Sequence, residues 1–191
     1  MLYNAEQDIV LIKNFIDEEK RNFYFQEVLA NSNWQNELTS LLSPTPIKIK
    51  RKMDYVYDKK IIYQYANLEV NGSLWREPLI EINNKIKTEL GLDFNSVLLN
   101  LYESGKSEIG WHSDKEKQLG ENPIIASVNL GAKRTIWFLN KETKEKFKYE
   151  LEGGDILIMG KDCQTKYLHA ILKEKDVIDE RISLTFRKVY E

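Results

Sequence analysis

The residues whose spacing carries most chemistry lie in "EIGWHSDKE", residues 108–116. This stretch holds His112, one of only two histidines in the chain, followed by Asp114 and Glu116 at two-residue intervals. In an extended strand, residues i, i+2 and i+4 share a face. The spacing therefore predicts an imidazole and two carboxylates side by side. The second histidine, His169 in "KYLHAI", is far downstream. If folding brings it to His112 and Asp114, two imidazoles and one carboxylate make a three-cornered metal site. With open coordination positions that set is the facial triad of non-heme Fe(II) oxygenases. The same ligands hold zinc in hydrolases.

The last strand-like segment, "RISLTFR" (181–187), helps to choose between them. Arg181, Ser183, Thr185 and Arg187 alternate with Ile182, Leu184 and Phe186. A polar face turned to solvent would make this a plain amphipathic edge strand. Turned inward, it would bury two guanidiniums, each costing several kcal/mol unless paired. An anionic ligand removes that conflict, and arginine holds a carboxylate bidentately. A hydrolase needs no fixed dicarboxylate partner, whereas an oxygenase of this kind takes 2-oxoglutarate as co-substrate. The arginines thus favour iron over zinc.

The elements around these residues read as one domain. The chain has 191 residues, 42% hydrophobic and 30% charged, with net charge −2. That composition is ordinary for a soluble globular protein. No apolar run reaches the roughly 20 residues of a membrane span, and the N-terminus lacks a signal-peptide pattern. A single cysteine, Cys163, excludes an internal disulfide and fits an intracellular setting. A monomer is expected, in the cytoplasm of a bacterium or the nucleus of a eukaryote.

Charge is unevenly spread. "IKIKRKMDYVYDKK" (47–60) has six bases against two acids, interleaved with Tyr55 and Tyr57. Such a stretch suits a phosphate backbone and unpaired bases, or else an edge strand guarded by lysines. Helices are predicted after Asp17 to about Ala30, with Phe23, Val28 and Leu29 on one face, and over "EPLIEINNKIKTELG". In the second, Leu79, Ile82, Ile86 and Leu90 share a face and Gly91 is the stop. From residue 94 onward short β-branched and aromatic segments alternate with turns, and Gly153-Gly154 reads as a hairpin turn. Helices followed by about seven strands predict an α+β fold, a sandwich or barrel backed by helices.

The motifs "NSVLLNLY", "WHSDKE", "PIIASVNLGAKRT", "LEGGDILIM", His169 and "RISLTFR" together resemble the AlkB family of Fe(II)/2-oxoglutarate dioxygenases. The dense match runs from Asn95 to Tyr190; "KRKMDYVYD" and "YQYANL" resemble it more loosely. The resemblance implies a double-stranded β-helix (jelly-roll) core over about 94–191, preceded over 1–93 by an extension with a nucleotide-recognition lid. It implies Fe(II) on His112, Asp114 and His169, which are also the catalytic residues. It places 2-oxoglutarate against Arg181 and Tyr102 at one end and Arg187 and Asn100 at the other, beside Ser183 and Thr185, with O2 as oxidant. Glu116 would meet the damaged base, Tyr65 would stack on it, and Arg51, Tyr57 and Tyr63 would belong to the lid.

The activity so implied is oxidative demethylation of N-alkylated bases, 1-methyladenine and 3-methylcytosine in type, in DNA and by extension RNA. A 2-oxoglutarate oxygenase acting on a protein or small molecule is the alternative. Three positions depart from the family pattern. Ser183 stands for a usual Asn, Ala66 for a usual Ser, and Lys115 for a frequent Asp. The acid-rich segment "LKEKDVIDE" after His169 tilts the expected substrate toward single strands.

Overall fold

Alternation in the strands after residue 94 divides their side chains between two different surroundings. In the computed structural model, which describes residues 8–40, 43–58, 63–65, 68–70 and 72–190, these strands form two facing sheets. Over 38–40, 43–47, 63–65 and 68–70 the strands are described by backbone alone. In chain order the strands are β1 (Ile9–Ile12), β2 (Gln35–Ser40), β3 (Ser43–Tyr57), β4 (Tyr63–Tyr65), β5 (Leu68–Val70), β6 (Gly72–Leu74) and β7 (Ser96–Tyr102). They continue with β8 (Ile109–His112), β9 (Ile125–Gly131), β10 (Arg134–Asn140), β11 (Lys146–Leu151), β12 (Ile156–Met159), β13 (Tyr167–Ile171) and β14 (Arg181–Arg187). The helices are α1 (Glu18–Asn31), α2 (Leu79–Leu90) and α3 (Cys163–Lys166).

Strands β7 to β14 pass back and forth between the sheets as in a jelly roll, apart from β10 and β11, which pair as neighbours in the smaller sheet. One sheet carries β12-β9-β14-β7, extended by β1 on one side and by β3 and β2 on the other. The second has the order β11-β10-β13-β8. Every pair is antiparallel except β3 with β6. The larger sheet has an apolar outer face: Leu99, Leu101, Val128, Leu130, Ile182, Leu184 and Phe186 share one buried cluster with Tyr24 and Val28 of α1 and the four buried residues of α2. Its inner face carries the polar residues of β7, β9 and β14. A helix-packed face is thus the greasy one, and the space between the sheets is partly polar.

Helix α2 ends where expected, before Gly91, and starts two residues later than expected, at Leu79, with Leu79, Ile82, Ile86 and Leu90 buried. Gly91 ends it in the left-handed region at φ 71°, where its N–H donates to the Lys87 carbonyl. Helix α1 also lies where expected, opened by Glu18 and Glu19 at its positive end. Its buried face differs, however: Tyr24 and Val28 are buried while Phe23 is exposed. Apolar residues at 23, 24, 25, 28 and 29 leave the face ambiguous by periodicity, and docking on β9 decides it.

Two further expectations are corrected. The turn at Gly153-Gly154 is not a hairpin, because β11 pairs only with β10 while β12 pairs with β9 and β1. It carries the chain from one sheet to the other. Gly154 has φ 94°, and a Cβ there would lie 2.6 Å from the Ile16 carbonyl. The basic stretch is no edge strand either: β3 lies between β7 and β2. Its Met53, Tyr55 and Tyr57 are buried with Leu98, Leu119 and Val189, and only Lys48 and Lys50 of its described bases are exposed. Among the described residues no helix is long and apolar enough to cross a membrane.

Candidate active site

The register of the smaller sheet brings the two histidines together. His112, the last residue of β8, is paired directly with His169 of β13. Their ring centroids are 4.2 Å apart. Asp114 is two residues past the end of β8, so strand alternation does not place it, contrary to the reading of 112, 114 and 116 as one strand face. It is buried, and its Oδ1 lies 3.6 Å from His112 Nε2 and 3.8 Å from His169 Nε2. One ligating atom from each residue falls within 4.8 Å of the others. Glu116 is half-buried and precedes a 3-10 turn over Lys117–Leu119.

The protonation states suit a divalent cation. Burial and the neighbouring His112 push His169 down to about 3, leaving a neutral imidazole. Burial also lowers His112. Burial alone would raise the Asp114 carboxyl, but the opposing charges, that of the Arg187 guanidinium foremost, outweigh it and hold it at about 2. His112 Nδ1 lies 2.8 Å from the Gly110 carbonyl. An N–H there fixes the tautomer and turns the Nε2 lone pair toward Asp114. Asp114 Oδ1 is buried and has no hydrogen-bond partner. Two neutral imidazoles, one anionic oxygen and an unsatisfied lone-pair direction between them fit Fe(II).

The pocket beside these ligands is lined by the inner face of β7, β9 and β14. Strand β14 is central, flanked by β7 and β9, and every residue of it is buried. Its register sets Arg181 against Tyr102 and Ser183 against Asn100. Arg181 is 1% exposed. Its Nη2 donates to Asn129 Oδ1, and its guanidinium lies 5.0 Å from the Tyr102 ring centroid. Its Nε and Nη1 make no hydrogen bond, and burial pushes it down to about 10. Arg187 is also buried, and its Nη2 donates to Asp114 Oδ2. Arg51 of β3 enters the same pocket, its Nε donating to Asn100 Oδ1 at 2.6 Å. Three guanidiniums against the Asp114 carboxylate give the lining an excess of positive charge. That excess, and a buried guanidinium with two idle nitrogens, fit a dicarboxylate such as 2-oxoglutarate.

The remaining predicted residues are dispersed. Thr185 lines the pocket. Tyr57 does not; its hydroxyl donates to the Gly72 carbonyl at 3.2 Å. Tyr63 and Tyr65 lie on β4, where only the backbone is described, and Ala66 lies outside the described residues. Lys115 is exposed. Cys163 is buried, which pushes its thiol up to about 12, so it packs rather than reacts. Sequence reasoning missed three polar residues of the site. Ser127 hydrogen-bonds Ser183 at 2.9 Å, Asn129 holds Arg181, and Gln164 accepts the Asp114 N–H at 2.9 Å. Ser127 and Asn129 sit at alternate positions in "IASVNLG", a signal of the kind that found β14; Gln164 left none.

Comparison with known proteins agrees with this geometry. The model of the 2OG-Fe(II) oxygenase superfamily matches residues 8–187. The chain is 30% identical to alpha-ketoglutarate-dependent dioxygenase alkB homolog 3 of Homo sapiens, over 95% of this chain and 66% of that protein. It is 31% identical to DNA oxidative demethylase ALKBH2 of Homo sapiens, over 74% of this chain and 57% of that protein. It is 31% identical to uncharacterized protein R406 of Acanthamoeba polyphaga mimivirus, over 86% and 87% of the two chains. It thus spans just under two thirds of the human alkB homolog 3 and less of ALKBH2. The solved structure of OsALKBH1 matches with a TM-score of 0.66 at 17% identity, over 95% of this chain and 98% of that one, a likeness of fold.

Proposed function

The chain belongs to the 2OG-Fe(II) oxygenase superfamily, among its AlkB-type members, and we propose that it is an oxidative demethylase of N-alkylated nucleic-acid bases. The bases meant are 1-methyladenine and 3-methylcytosine in type, in DNA and by extension RNA. The observation that carries the reading is the meeting, in one pocket, of the His112–Asp114–His169 donors with the half-satisfied guanidinium of Arg181. Demethylase activity itself is said of ALKBH2 by its name, and it comes to this chain as part of the proposal.

His112, Asp114 and His169 would hold the iron, and Arg181 with Tyr102 the far carboxylate of 2-oxoglutarate. Together those groups supply the activation of O2 that couples conversion of 2-oxoglutarate to succinate and CO2 with hydroxylation of an N-methyl carbon. The resulting N-hydroxymethyl group loses formaldehyde, its hydroxyl proton leaving as the C–N bond breaks toward the base. Arg187 keeps Asp114 ionised and turned toward the imidazoles. The buried walls of the larger sheet exclude bulk water, which strengthens each of these polar contacts. Glu116, half-buried two residues beyond Asp114, would favour a cationic methylated base over its neutral product. Tyr65 would supply the stacking wall, and Arg51, Tyr57 and Tyr63 would serve recognition. The segment before about residue 94 would form the lid.

A panel of methylated DNA and RNA oligonucleotides, single- and double-stranded, tests the reading. The expected result is base restoration that requires both Fe(II) and 2-oxoglutarate, with single strands preferred. Turnover of 2-oxoglutarate that no oligonucleotide stimulates would point instead to a protein or small-molecule substrate.

A further inference from the structure

Two residues beyond β8, the Asp114 N–H has no place in the β8–β13 ladder, yet it is buried. A buried N–H needs a partner, and here the partner is the side chain of Gln164. Gln164 is 2% exposed and sits in α3, the short turn that leads directly into β13 and His169. Its Oε1 accepts the Asp114 N–H at 2.9 Å. Only the amide oxygen can accept that proton, so the orientation of the amide is fixed, and Nε2 turns to Met159 Sδ at 3.5 Å. The backbone carbonyl of Gln164 in turn accepts from Lys141 Nζ at 2.6 Å. The same ammonium reaches Ser113 Oγ, between the two ligands, at 3.3 Å.

We infer that Gln164 is the positioning residue of the metal centre, with Lys141 as its brace. Asp114 is gripped at both ends: Arg187 takes Oδ2, and Gln164 takes the backbone. Held in that way, the carboxylate can present only Oδ1 to the two imidazoles. Gln164 also ties the Asp114 segment to the element that delivers His169, so that a single contact couples ligands from two distant parts of the sequence. Neither residue touches the reacting atoms.

The inference rests on the reading of His112, Asp114 and His169 as a metal centre, and its test separates the two. Metal-free protein is titrated with Mn(II) by electron paramagnetic resonance, in wild type, Gln164→Met and Gln164→Glu. Methionine keeps the length and burial of the side chain but accepts no such hydrogen bond, whereas glutamate keeps an acceptor oxygen. Loss of a group that orients a ligand costs roughly 10- to 100-fold in metal affinity. That loss is expected for Gln164→Met, with Gln164→Glu within a few-fold of wild type. The visible spectrum of the Co(II)-loaded protein should change in Gln164→Met at saturation, a response that lost stability alone would not produce. If Gln164→Met does not fold, Lys141→Met, altered at the edge of the site, should weaken Mn(II) in the same direction. Equal affinity and identical Co(II) spectra in wild type and Gln164→Met would overturn the inference, as would unchanged affinity in Lys141→Met or equal loss in both Gln164 variants. Failure of wild type to bind Mn(II) would overturn the metal centre itself.

Discussion

Arg187 and Asp114 form an ion pair sealed from solvent, with side-chain exposures of 4% and 1%. The two lie 73 residues apart in the sequence, and the pair joins the larger sheet to the metal ligands. Removing one partner of a buried pair leaves an uncompensated charge, at a cost of about 3–5 kcal/mol. We predict that Arg187→Met destabilises the metal-free protein by about that amount. Mn(II) should restore part of the loss, because the cation replaces the missing positive charge beside Asp114. Urea unfolding of wild type and variant, with and without Mn(II), measures both effects.

Arg181 is expected to act on the co-substrate and not on the metal. A hydrogen bond to a charged group contributes about 1.5–3 kcal/mol, and two idle nitrogens are available to a carboxylate. Arg181→Ala should raise the KM for 2-oxoglutarate on the order of a hundredfold, leaving Mn(II) affinity near that of wild type. Steady-state kinetics and a Mn(II) titration separate the two. Equal loss of both would assign Arg181 to the metal centre instead.

Burial of His169 predicts an acid-sensitive metal-free protein. Its folded-state value is pushed to about 3 from an ordinary 6.5. Between those values the unfolded chain takes up a proton that the native chain refuses, so stability falls as pH drops through that window. Above pH 6.5 this contribution is flat. Asp114, lowered from 3.8 to about 2, adds to the loss at the acid end, since its stabilisation is present above 3.8 and disappears toward 2. Denaturant midpoints of wild type should therefore fall more between pH 7.5 and pH 5 than those of His169→Gln.

Much of this architecture was legible in residue patterns, and the limits of legibility have physical causes. Alternation in "RISLTFR" identified both faces of β14, because a central strand between two different environments must segregate its side chains. The 3.6-residue period with a terminal glycine identified α2. His112 and His169 could be paired by scarcity and chemistry, and the register of β8 and β13 makes the pairing direct. Asp114 escaped the strand argument because β8 ends at His112, leaving its position to tertiary contacts with Gln164 and Arg187. The long β3 was obscured by its lysines, which alternate outward while Arg51, Met53 and Tyr55 turn in. The crossing at Gly153-Gly154 has the same local chemistry as a hairpin, and only the pairing of β12 with β9 distinguishes the two. Gln164 sits alone in a four-residue turn, without a periodic pattern to mark it.

One pocket is proposed to couple 2-oxoglutarate oxidation to removal of a methyl group from a base. The most direct measurement of that coupling is the ratio of succinate to formaldehyde released from a 1-methyladenine oligonucleotide with Fe(II), in wild type and His112→Ala. Wild type should release equal amounts of the two products, and His112→Ala neither above background. Formaldehyde release that persists in His112→Ala, or succinate formed in wild type with no formaldehyde from any methylated oligonucleotide, would contradict it.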